Sequence, residues 1–329
     1  MSYQHLPKLD LHCHLDGAVR PETLVALAAE AGLSWPPDAA SRCRVAATCR
    51  SLPEFLKTFE FFLPALGSRA GLRRAALELC RDMKADGVIY FEARFSPTLW
   101  VDAGFAPEEA VEGALEGLRK GEAETGVKSG LILCGIRNFP PERTLVAAKL
   151  AYKYRDRGVV GLDIAGDERS PLAAHREGFA EARKLGVPIT IHAGEAGPAS
   201  NVREALEFGA TRIGHGVHVV EDPAVLAEAV KRGATFEMCL TSNLMTHSVD
   251  QMANHPFAQF LRDGVRVTLN TDDPGVQGST LTQDFERAEK ELGLGKPELK
   301  RAVLHAVDAA FASESTRASL RARIEEGWR

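Results

Sequence analysis

The stretch LDLHCHLDG, residues 9–17, decides how the rest of the chain is interpreted. Apolar residues alternate with other residues up to His12 and His14, a pattern typical of a β-strand. Side chains two residues apart in a strand point to the same face. The two imidazoles are therefore expected to lie side by side, with Cys13 pointing away from them. Gly17 indicates a turn, so the stretch predicts a strand that ends by aiming two histidines at one place.

Seven further stretches of this character follow, separated by longer segments whose apolar residues recur every three or four positions. The eight predicted strands are 8–15, 87–95, 128–136, 159–166, 187–194, 211–219, 234–240 and 265–273. Glycines that would end the intervening helices precede six of the strands: Gly87, Gly126, Gly158, Gly186, Gly233 and Gly264. Strand and helix alternating eight times predict an α/β fold, a (β/α)8 or TIM barrel, forming one domain over residues 1–329.

A doubly wound open sheet is the alternative to a barrel. No G-x-G-x-x-G follows the first strand, and the polar residues also favour the barrel. They fall at or just past the C-terminal ends of strands, which form one rim in a TIM barrel and hold its active sites. These residues are His12, His14, Glu92, Arg94, Gly166, His192, Glu195, His215, Asn243, Asp272 and Asp273.

Two regions lie outside the repeating pattern. Residues 20–86 form a long insertion after the first strand, and it contains the apolar segment SLPEFLKTFEFFLPAL, residues 51–66. We expect this insertion to form helices across the barrel mouth. The tail from about residue 280 is expected to be helical and to pack against the outside of the barrel.

Composition excludes several classes of protein. The net charge is −5 and no run of Lys or Arg occurs, which argues against a nucleic-acid partner. No apolar stretch reaches the ~18 residues of a membrane span, and the N-terminus does not resemble a signal peptide. The six cysteines are scattered without a C-x-x-C pair, as expected for reduced thiols. A cytoplasmic protein without a membrane partner is predicted, and the sequence gives no indication of its oligomeric state.

Five of the predicted rim residues are potential metal ligands. Imidazole nitrogen and carboxylate oxygen suit Zn²⁺ or a similar divalent ion. Two histidines alone are weak evidence, but three more candidate groups end other strands of the same barrel. The five are His12, His14, His192, His215 and Asp272. Their expected convergence predicts a metal site at the rim.

Acidic residues beside these candidates suggest proton transfer. Glu195 lies three residues past His192, and Gly194 between them lets the chain turn. A carboxyl group there can donate a proton if burial raises its pKa, although it could instead cap the following helix. Asp272 and Asp273 are adjacent and should point apart. Glu92 and Arg94 are expected to pair inside the barrel.

The ordered motifs of the chain resemble those of the adenosine deaminase family of metal-dependent barrel hydrolases. They are HCHLDGA, AGDE, HAGE, RIGHGVH, TSN and NTDDP, and SLPEFLKTF is similar to the lid helix of that family. The resemblance covers essentially the whole chain. It implies a zinc-dependent hydrolase that converts adenosine and 2′-deoxyadenosine to inosine and 2′-deoxyinosine, releasing ammonia, in purine salvage.

The resemblance also implies roles for individual residues. The implied ligands of a single Zn²⁺ are His12, His14, His192 and Asp272. The implied catalytic residues are His215, which orients and deprotonates the attacking water, and Glu195, which protonates N1 of the purine. The implied contacts to the substrate are Asp16 to the ribose 5′-hydroxyl, Gly166 to N3, Asp273 to N7, and the apolar lid residues Leu52, Phe55, Leu56 and Phe59. Those four share one helix face and could equally be ordinary core.

Several alternatives stay open at this point. Adenine-specific relatives have Glu where this chain has Asp16, so Asp16 favours a nucleoside, but deamination of 6-aminodeoxyfutalosine or of adenine is not excluded. A binding protein that has lost catalysis would lack a ligand or Glu195, and none is missing. A two-metal barrel hydrolase would need a lysine at the end of the fourth strand, where LDIAGDE has none. One metal ion per chain is therefore predicted.

Overall fold

The computed structural model describes residues 3–329 and confirms the α/β barrel. Within these residues, eight parallel strands pair in two runs of four, in the order of the sequence. Bridges between Cys13 and Asp272 and between Leu162 and Ile189 join the two runs and close the ring. Each predicted stretch contains one strand: β1 (Lys8–His14), β2 (Val88–Phe95), β3 (Lys128–Ile136), β4 (Val159–Ala165), β5 (Thr190–Ala193), β6 (Arg212–His215), β7 (Thr235–Met238) and β8 (Val267–Leu269).

The helices surround this ring and extend from both of its ends. In chain order they are α1 (Pro21–Glu30), α2 (Ala39–Arg42), α3 (Leu52–Leu66), α4 (Arg69–Ala85), α5 (Pro107–Thr125), α6 (Glu142–Lys153), α7 (Arg176–Leu185), α8 (Ala199–Glu207), α9 (Pro223–Lys231), α10 (Leu240–Met245), α11 (Phe257–Arg262), α12 (Pro274–Gln277), α13 (Leu281–Leu292), α14 (Lys296–Ala309) and α15 (Glu314–Gly327). The six glycines predicted to end helices all have φ between 70° and 116°. All six cysteines are buried and free. None of the helices in residues 3–329 combines the length with the apolarity that a bilayer crossing demands.

The insertion after β1 is shorter than predicted. Helix α4 packs against α5 and β2, so it belongs to the outer ring of the barrel rather than to the insertion. The boundary has a local cause, because Ser68 caps α4 by accepting a hydrogen bond from the Gly71 N–H, directly after α3 has ended at Leu66. The segment SLPEFLKTFEFFLPAL forms α3 with its own cap at Ser51.

The C-terminal tail does more than cover the outside of the barrel. Its helices are present as predicted, but the chain between α14 and α15 reaches the inside of the ring at the N-terminal ends of the strands. The Phe311 N–H donates to the Glu92 carboxylate at 2.6 Å, and the Arg212 guanidinium lies 3.8 Å from the centre of the Phe311 ring. This segment therefore closes the bottom of the barrel.

A network of fully buried charges fills the middle of the ring. Arg94 forms ion pairs with Asp163 at 2.7 Å and Glu237 at 2.9 Å, and Arg212 pairs with both Glu237 and Glu92. The predicted pair between Glu92 and Arg94 is therefore wrong. Both side chains enter the ring. Glu92 precedes Arg94 by two residues on β2, so it lies closer to the bottom of the barrel and pairs with Arg212 instead. For the same reason Glu92 does not belong to the rim.

Breaking this network is expected to destabilise the fold. Replacing Arg94 by Met leaves Asp163 and Glu237 buried with one cation fewer, and losing one partner of a buried ion pair typically costs about 3–5 kcal/mol. Urea unfolding followed by circular dichroism measures the loss. Arg81→Met is the matched control because Arg81 pairs with Glu124 on the exposed surface. Equal unfolding midpoints for the two variants would contradict the expectation.

Candidate metal centre and active site

Four of the predicted ligand residues meet at the C-terminal rim of the barrel. One ligand atom from each of them lies within 4.8 Å of those of the other three, and the four are His12, His14, His192 and Asp272. Asp272 Oδ1 is 3.3 Å from Nε2 of His12 and of His14, and the Nε2 atoms of His14 and His192 face each other at 3.1 Å. The alternation of β1 aims His12 and His14 at this point, as its sequence predicts.

The polar atoms at this point fit a bound cation. Among residues 3–329, His12 Nε2 and Asp272 Oδ1 belong to the buried side-chain atoms that make no hydrogen bond. Buried polar atoms are rarely left unpaired in proteins, because desolvation without a partner is costly. Three imidazole nitrogens and one carboxylate oxygen are a donor set that suits Zn²⁺ and related divalent ions.

Carboxylates below the centre hold two of the imidazoles in place. Glu237 is 2.9 Å from Nδ1 of His12, and Asp163 is 3.0 Å from Nδ1 of His192. Nδ1–H of each imidazole thereby donates a hydrogen bond to a carboxylate, which leaves Nε2 of the neutral ring bare. Metal-binding histidines are commonly oriented in this way. Arg94 bridges the two carboxylates. No role for Asp163 or Glu237 was predicted from the sequence. The feature that could have indicated one is an acidic residue in the middle of a predicted strand.

The backbone is strained at two of the rim residues. His215 and Asp272 have φ of 59° and 71°, in the left-handed region that residues other than glycine rarely adopt. Such a conformation costs about 1–3 kcal/mol and persists where the surrounding structure holds it. Gly214 lets the strands approach, because a Cβ there would lie 3.0 Å from Cε1 of His12. The left-handed backbone conformation turns the side chains of His215 and Asp272 towards the candidate metal centre.

Glu195 lies beside this centre and is buried. Its Oε2 is 3.6 Å from Nε2 of His215, which is itself 4.0 Å from Oδ2 of Asp272. Burial and the nearby Asp272 carboxylate raise the pKa of Glu195 well above its usual range. The carboxyl group is therefore suited to carry a proton near neutral pH. It does not cap the next helix, because α8 begins at Ala199 after Pro198.

A second buried carboxylate, Glu168, holds the loop that carries Glu195. Glu168 accepts hydrogen bonds from four consecutive backbone N–H groups, those of residues 194–197, all at 2.9 Å or less. The Asn201 side chain donates a fifth hydrogen bond at 3.0 Å. Glu168 belongs to the AGDE motif, but sequence analysis gave it no role, since nothing in the sequence links it to a loop after the next strand.

Neutralising this anchor is expected to loosen the loop. In Glu168→Gln the charged acceptor becomes an amide, which accepts hydrogen bonds more weakly and brings N–H groups of its own towards those of the loop. Amide hydrogen exchange at residues 194–197 should become at least about tenfold faster, while exchange in β2 stays unchanged. Asp167→Asn is the matched control, because Asp167 pairs only with the neighbouring Arg169. Unchanged protection of the loop would rule out the anchoring role.

One cavity of about 210 Å³ connects the metal centre with the remaining predicted contacts. All the predicted substrate-binding residues line it: Asp16, Leu52, Phe55, Leu56, Phe59, Gly166 and Asp273. Leu52 and Phe55 are buried, and Leu56 and Phe59 are half-buried. Side chains that were not predicted also line it, among them Glu60, Asn138, Phe139 and Thr246. The cavity joins an apolar wall from α3 to a polar wall at the rim.

The two aspartates of the polar wall have raised pKa values. Burial, followed by the neighbouring Asp272, raises the pKa of Asp273 well above its usual range. Burial raises the pKa of Asp16 to about 6. A carboxyl group that keeps its proton can donate a hydrogen bond as well as accept one. Asp273 is thus suited to face an acceptor atom of a ligand.

The ionisable side chains that line the cavity, apart from its histidines, are all acidic. Its ionisable residues other than histidine are Asp16, Glu60, Glu195, Asp272 and Asp273, and within the described chain no Lys or Arg lines it. The nearby guanidinium of Arg137 is turned away, donating at 2.6 Å to the backbone oxygen of His192. An anionic group on a ligand would therefore find no Lys or Arg side chain among the described residues that line this cavity.

Comparison with known protein families gives one consistent result. Residues 7–327 match the family model described as Adenosine deaminase. The chain is 36% identical to an adenosine deaminase of Enterococcus faecalis over 329 residues, covering 99% of this chain and 98% of that protein. It is also 36% identical to an adenosine deaminase of Clostridium acetobutylicum over 327 residues, covering 98% of each chain.

Solved structures share the fold over nearly the whole chain. An adenine deaminase from Arthrobacter aurescens superimposes with a TM-score of 0.90 at 26% identity, covering 98% of each chain. An N6-mAMP deaminase of arabidopsis gives 0.88 at 27% identity, again covering 98% of each. An amidohydrolase from Burkholderia ambifaria, solved with bound Zn, gives 0.88 at 27% identity, covering 99% of this chain and 91% of that one.

Proposed function

Because the chain belongs to the adenosine deaminase family and is therefore a hydrolase that removes a purine amino group, we propose that it deaminates adenosine and 2′-deoxyadenosine. One observation carries the proposal: the His and Asp cluster and the buried carboxyl group of Glu195, whose pKa is raised, face the same cavity. The products would be inosine or 2′-deoxyinosine and ammonia. A cytoplasmic location and a role in purine salvage stay predictions from the sequence.

One zinc ion per chain is proposed at the cluster. His12, His14, His192 and Asp272 would hold it, since their unpaired buried atoms fit a cation. When bound, such an ion acidifies water and so supplies a nucleophile at neutral pH. His215, with Nε2 4.0 Å from Oδ2 of Asp272, would orient the attacking water. Metal analysis of the purified protein should give one equivalent, and two equivalents would contradict this arrangement.

Glu195 is proposed to protonate N1 of the purine. Its raised pKa keeps the proton on the carboxyl group until the ring nitrogen is presented. Protonation at N1 withdraws electrons from C6 and makes that carbon open to attack. Water would add to C6 as hydroxide, and the proton it releases would return to the Glu195 carboxylate. The proton of the new C6 hydroxyl would then pass to the amino group, so that the C6–N bond breaks, ammonia leaves and C6 becomes a carbonyl. The carboxyl group and the water would thus act on two neighbouring ring atoms, N1 and C6.

The rest of the purine is proposed to be held by two donors. N7 of adenine only accepts hydrogen bonds, so its partner must donate, and Asp273 can do so because its raised pKa keeps it protonated. The backbone N–H of Gly166 would serve N3. Gly166 has φ of 93°, and a Cβ there would lie 3.0 Å from Asn138 Oδ1. Both the positive φ and the close approach of Asn138 therefore require glycine at position 166.

The opposite end of the cavity is proposed to bind the sugar. Asp16 would accept a hydrogen bond from the 5′-hydroxyl. The α3 face formed by Leu52, Phe55, Leu56 and Phe59 would close over the nucleoside as a lid. A 5′-phosphate would meet Asp16 and Glu60 without a compensating cation. The charges therefore favour a nucleoside over a nucleoside monophosphate.

Ammonia release from five substrates tests the proposal. Purified protein is assayed with adenosine, 2′-deoxyadenosine, adenine, AMP and 6-aminodeoxyfutalosine. We expect the highest kcat/KM for the first two, and at least a 100-fold lower value for AMP, since like-charge contact costs several kcal/mol. If kcat/KM for 6-aminodeoxyfutalosine or for adenine exceeded that for adenosine, that compound would be the substrate and the proposal would be wrong. Activity with none of the five would remove the proposal altogether.

A further inference from the structure

The TSN motif places Asn243 in a buried chain of hydrogen bonds that leads to His215. Nδ1 of His215 is 3.1 Å from the Asn243 amide nitrogen, and the Asn243 amide oxygen is 3.2 Å from Nε2 of His255. The Phe257 N–H donates to Nδ1 of His255 at 3.2 Å. Asn243 is fully buried, and His215 and His255 are nearly so. None of the proposed substrate contacts uses Asn243 or His255.

The donor and acceptor roles in this series of hydrogen bonds are fixed at its Phe257 end. A backbone N–H can only donate, so Nδ1 of His255 must be the acceptor from Phe257. A neutral imidazole with a bare Nδ1 carries its proton on Nε2. Burial lowers the pKa of His255 to about 3, which keeps that ring neutral. Nε2 of His255 is therefore a donor, and its partner must be the amide oxygen of Asn243.

The same logic passes through Asn243 to His215. Once the amide oxygen accepts from His255, the amide nitrogen faces His215 and can only donate. Nδ1 of His215 is then the acceptor. The neutral ring must carry its proton on Nε2, the atom that faces Oε2 of Glu195 and Oδ2 of Asp272. Two carboxyl oxygens on that side are suitable partners for an N–H donor.

We propose that Asn243 and His255 are positioning residues that hold His215 as a hydrogen-bond donor, with its proton on Nε2, towards the reacting water. The relay starts at the Phe257 N–H and fixes the tautomer of His215. A neutral His215 held in this way orients the water but cannot take a proton from it at Nε2. The inference keeps the water-orienting part of the role that the family resemblance implies for His215 and replaces the deprotonating part. It rests on the proposed function only for its catalytic meaning.

Nuclear magnetic resonance tests the tautomer directly. The protein as purified is labelled with ¹⁵N-histidine, and correlations between ring protons and ring nitrogens show which nitrogen carries the proton. The signals that disappear in His215→Gln identify His215. We expect a protonated Nε2 and a bare Nδ1. A protonated Nδ1 with a bare Nε2 would overturn the inference, and this result does not depend on any variant of the relay.

Reversing the relay gives a second, independent measurement. In Asn243→Asp the side chain can only accept, so the His215 proton should move to Nδ1 and leave Nε2 bare. We expect kcat for adenosine to fall about 100-fold, with KM and bound metal nearly unchanged, because the side chain facing the water has lost its donor. Asn254→Asp makes the same chemical change at an exposed position and should alter neither the tautomer nor kcat.

The outcomes separate this inference from the proposed function. If His215 has the expected tautomer but no purine nucleoside is deaminated, the proposed function fails and the relay stands. If adenosine is turned over while wild-type His215 carries its proton on Nδ1, the relay fails and the function stands. A loss of kcat in Asn243→Asp with an unchanged tautomer would mean that Asn243 acts through packing, which also overturns the inference.

Discussion

Replacing Glu195 by Gln is expected to reduce kcat for adenosine by about 10²–10⁴-fold, the usual contribution of a positioned general acid. The amide keeps the size of the side chain and its place in the loop anchored by Glu168, but it has no acidic proton to give to N1. KM and bound metal should change little, because Glu195 lies beside the four candidate ligands without belonging to them. Steady-state kinetics and metal analysis on the same preparation measure both effects.

The pH dependence provides a further check on this role. The pKa of Glu195 is raised, so the protonated form is present at low pH and is lost as the pH rises through that pKa. Wild-type activity should therefore decline on the alkaline side, and Glu195→Gln should lack that decline. Glu207→Gln, an exposed glutamate at the end of α8, is the matched control and should behave like wild type. Near-wild-type kcat in Glu195→Gln would remove Glu195 from the mechanism.

Replacing Asp272 by Ala is expected to empty the metal centre. Losing an outer partner of a ligand typically costs about 10–100-fold in metal affinity, and losing a direct carboxylate ligand should cost more. The substitution also removes the only carboxylate among the four candidate ligands, so the three imidazoles would face the ion without an anionic partner. Metal content after dialysis should fall far below one equivalent, and deamination should fall with it.

Asp273→Asn separates the two adjacent aspartates. Asp273 faces the same cavity but is not part of the ligand cluster, so this variant should keep its metal and lose activity through weaker binding of the purine. Its amide can still donate to N7, which should make its loss of activity smaller than that of Asp272→Ala. Retention of metal by Asp272→Ala would remove Asp272 from the ligand set.

Local sequence patterns account for most of the fold. Alternation within β1 correctly placed His12 and His14 on one face, and the glycines past the helices marked the starts of later strands. Helix α4 falls within the predicted insertion because residues 20–86 form one long segment after the first strand. Only the tertiary contact with α5 identifies it as part of the outer ring. Periodicity shows that a face is buried, but not against which element.

Partners that come from distant strands could not be predicted in the same way. Arg94 was correctly expected inside the barrel, yet its partners Asp163 and Glu237 lie on β4 and β7, which approach it only after the ring has closed. Glu168 likewise anchors a loop of the next βα unit. Hydrogen-bond partners of this kind depend on barrel geometry rather than on spacing along the chain.

The bridge between Cys13 and Asp272 has a consequence for how the protein is made. It brings the first strand next to the last, so the ligands contributed by residues 12 and 14 cannot meet Asp272 until most of the chain has been synthesised. Such long-range closure is slow and entropically costly. An ion held by residues from both ends of the chain would bind only the closed ring and would stabilise it by mass action. A bound ion would thus join the first and last strands of the ring and raise its free energy of unfolding.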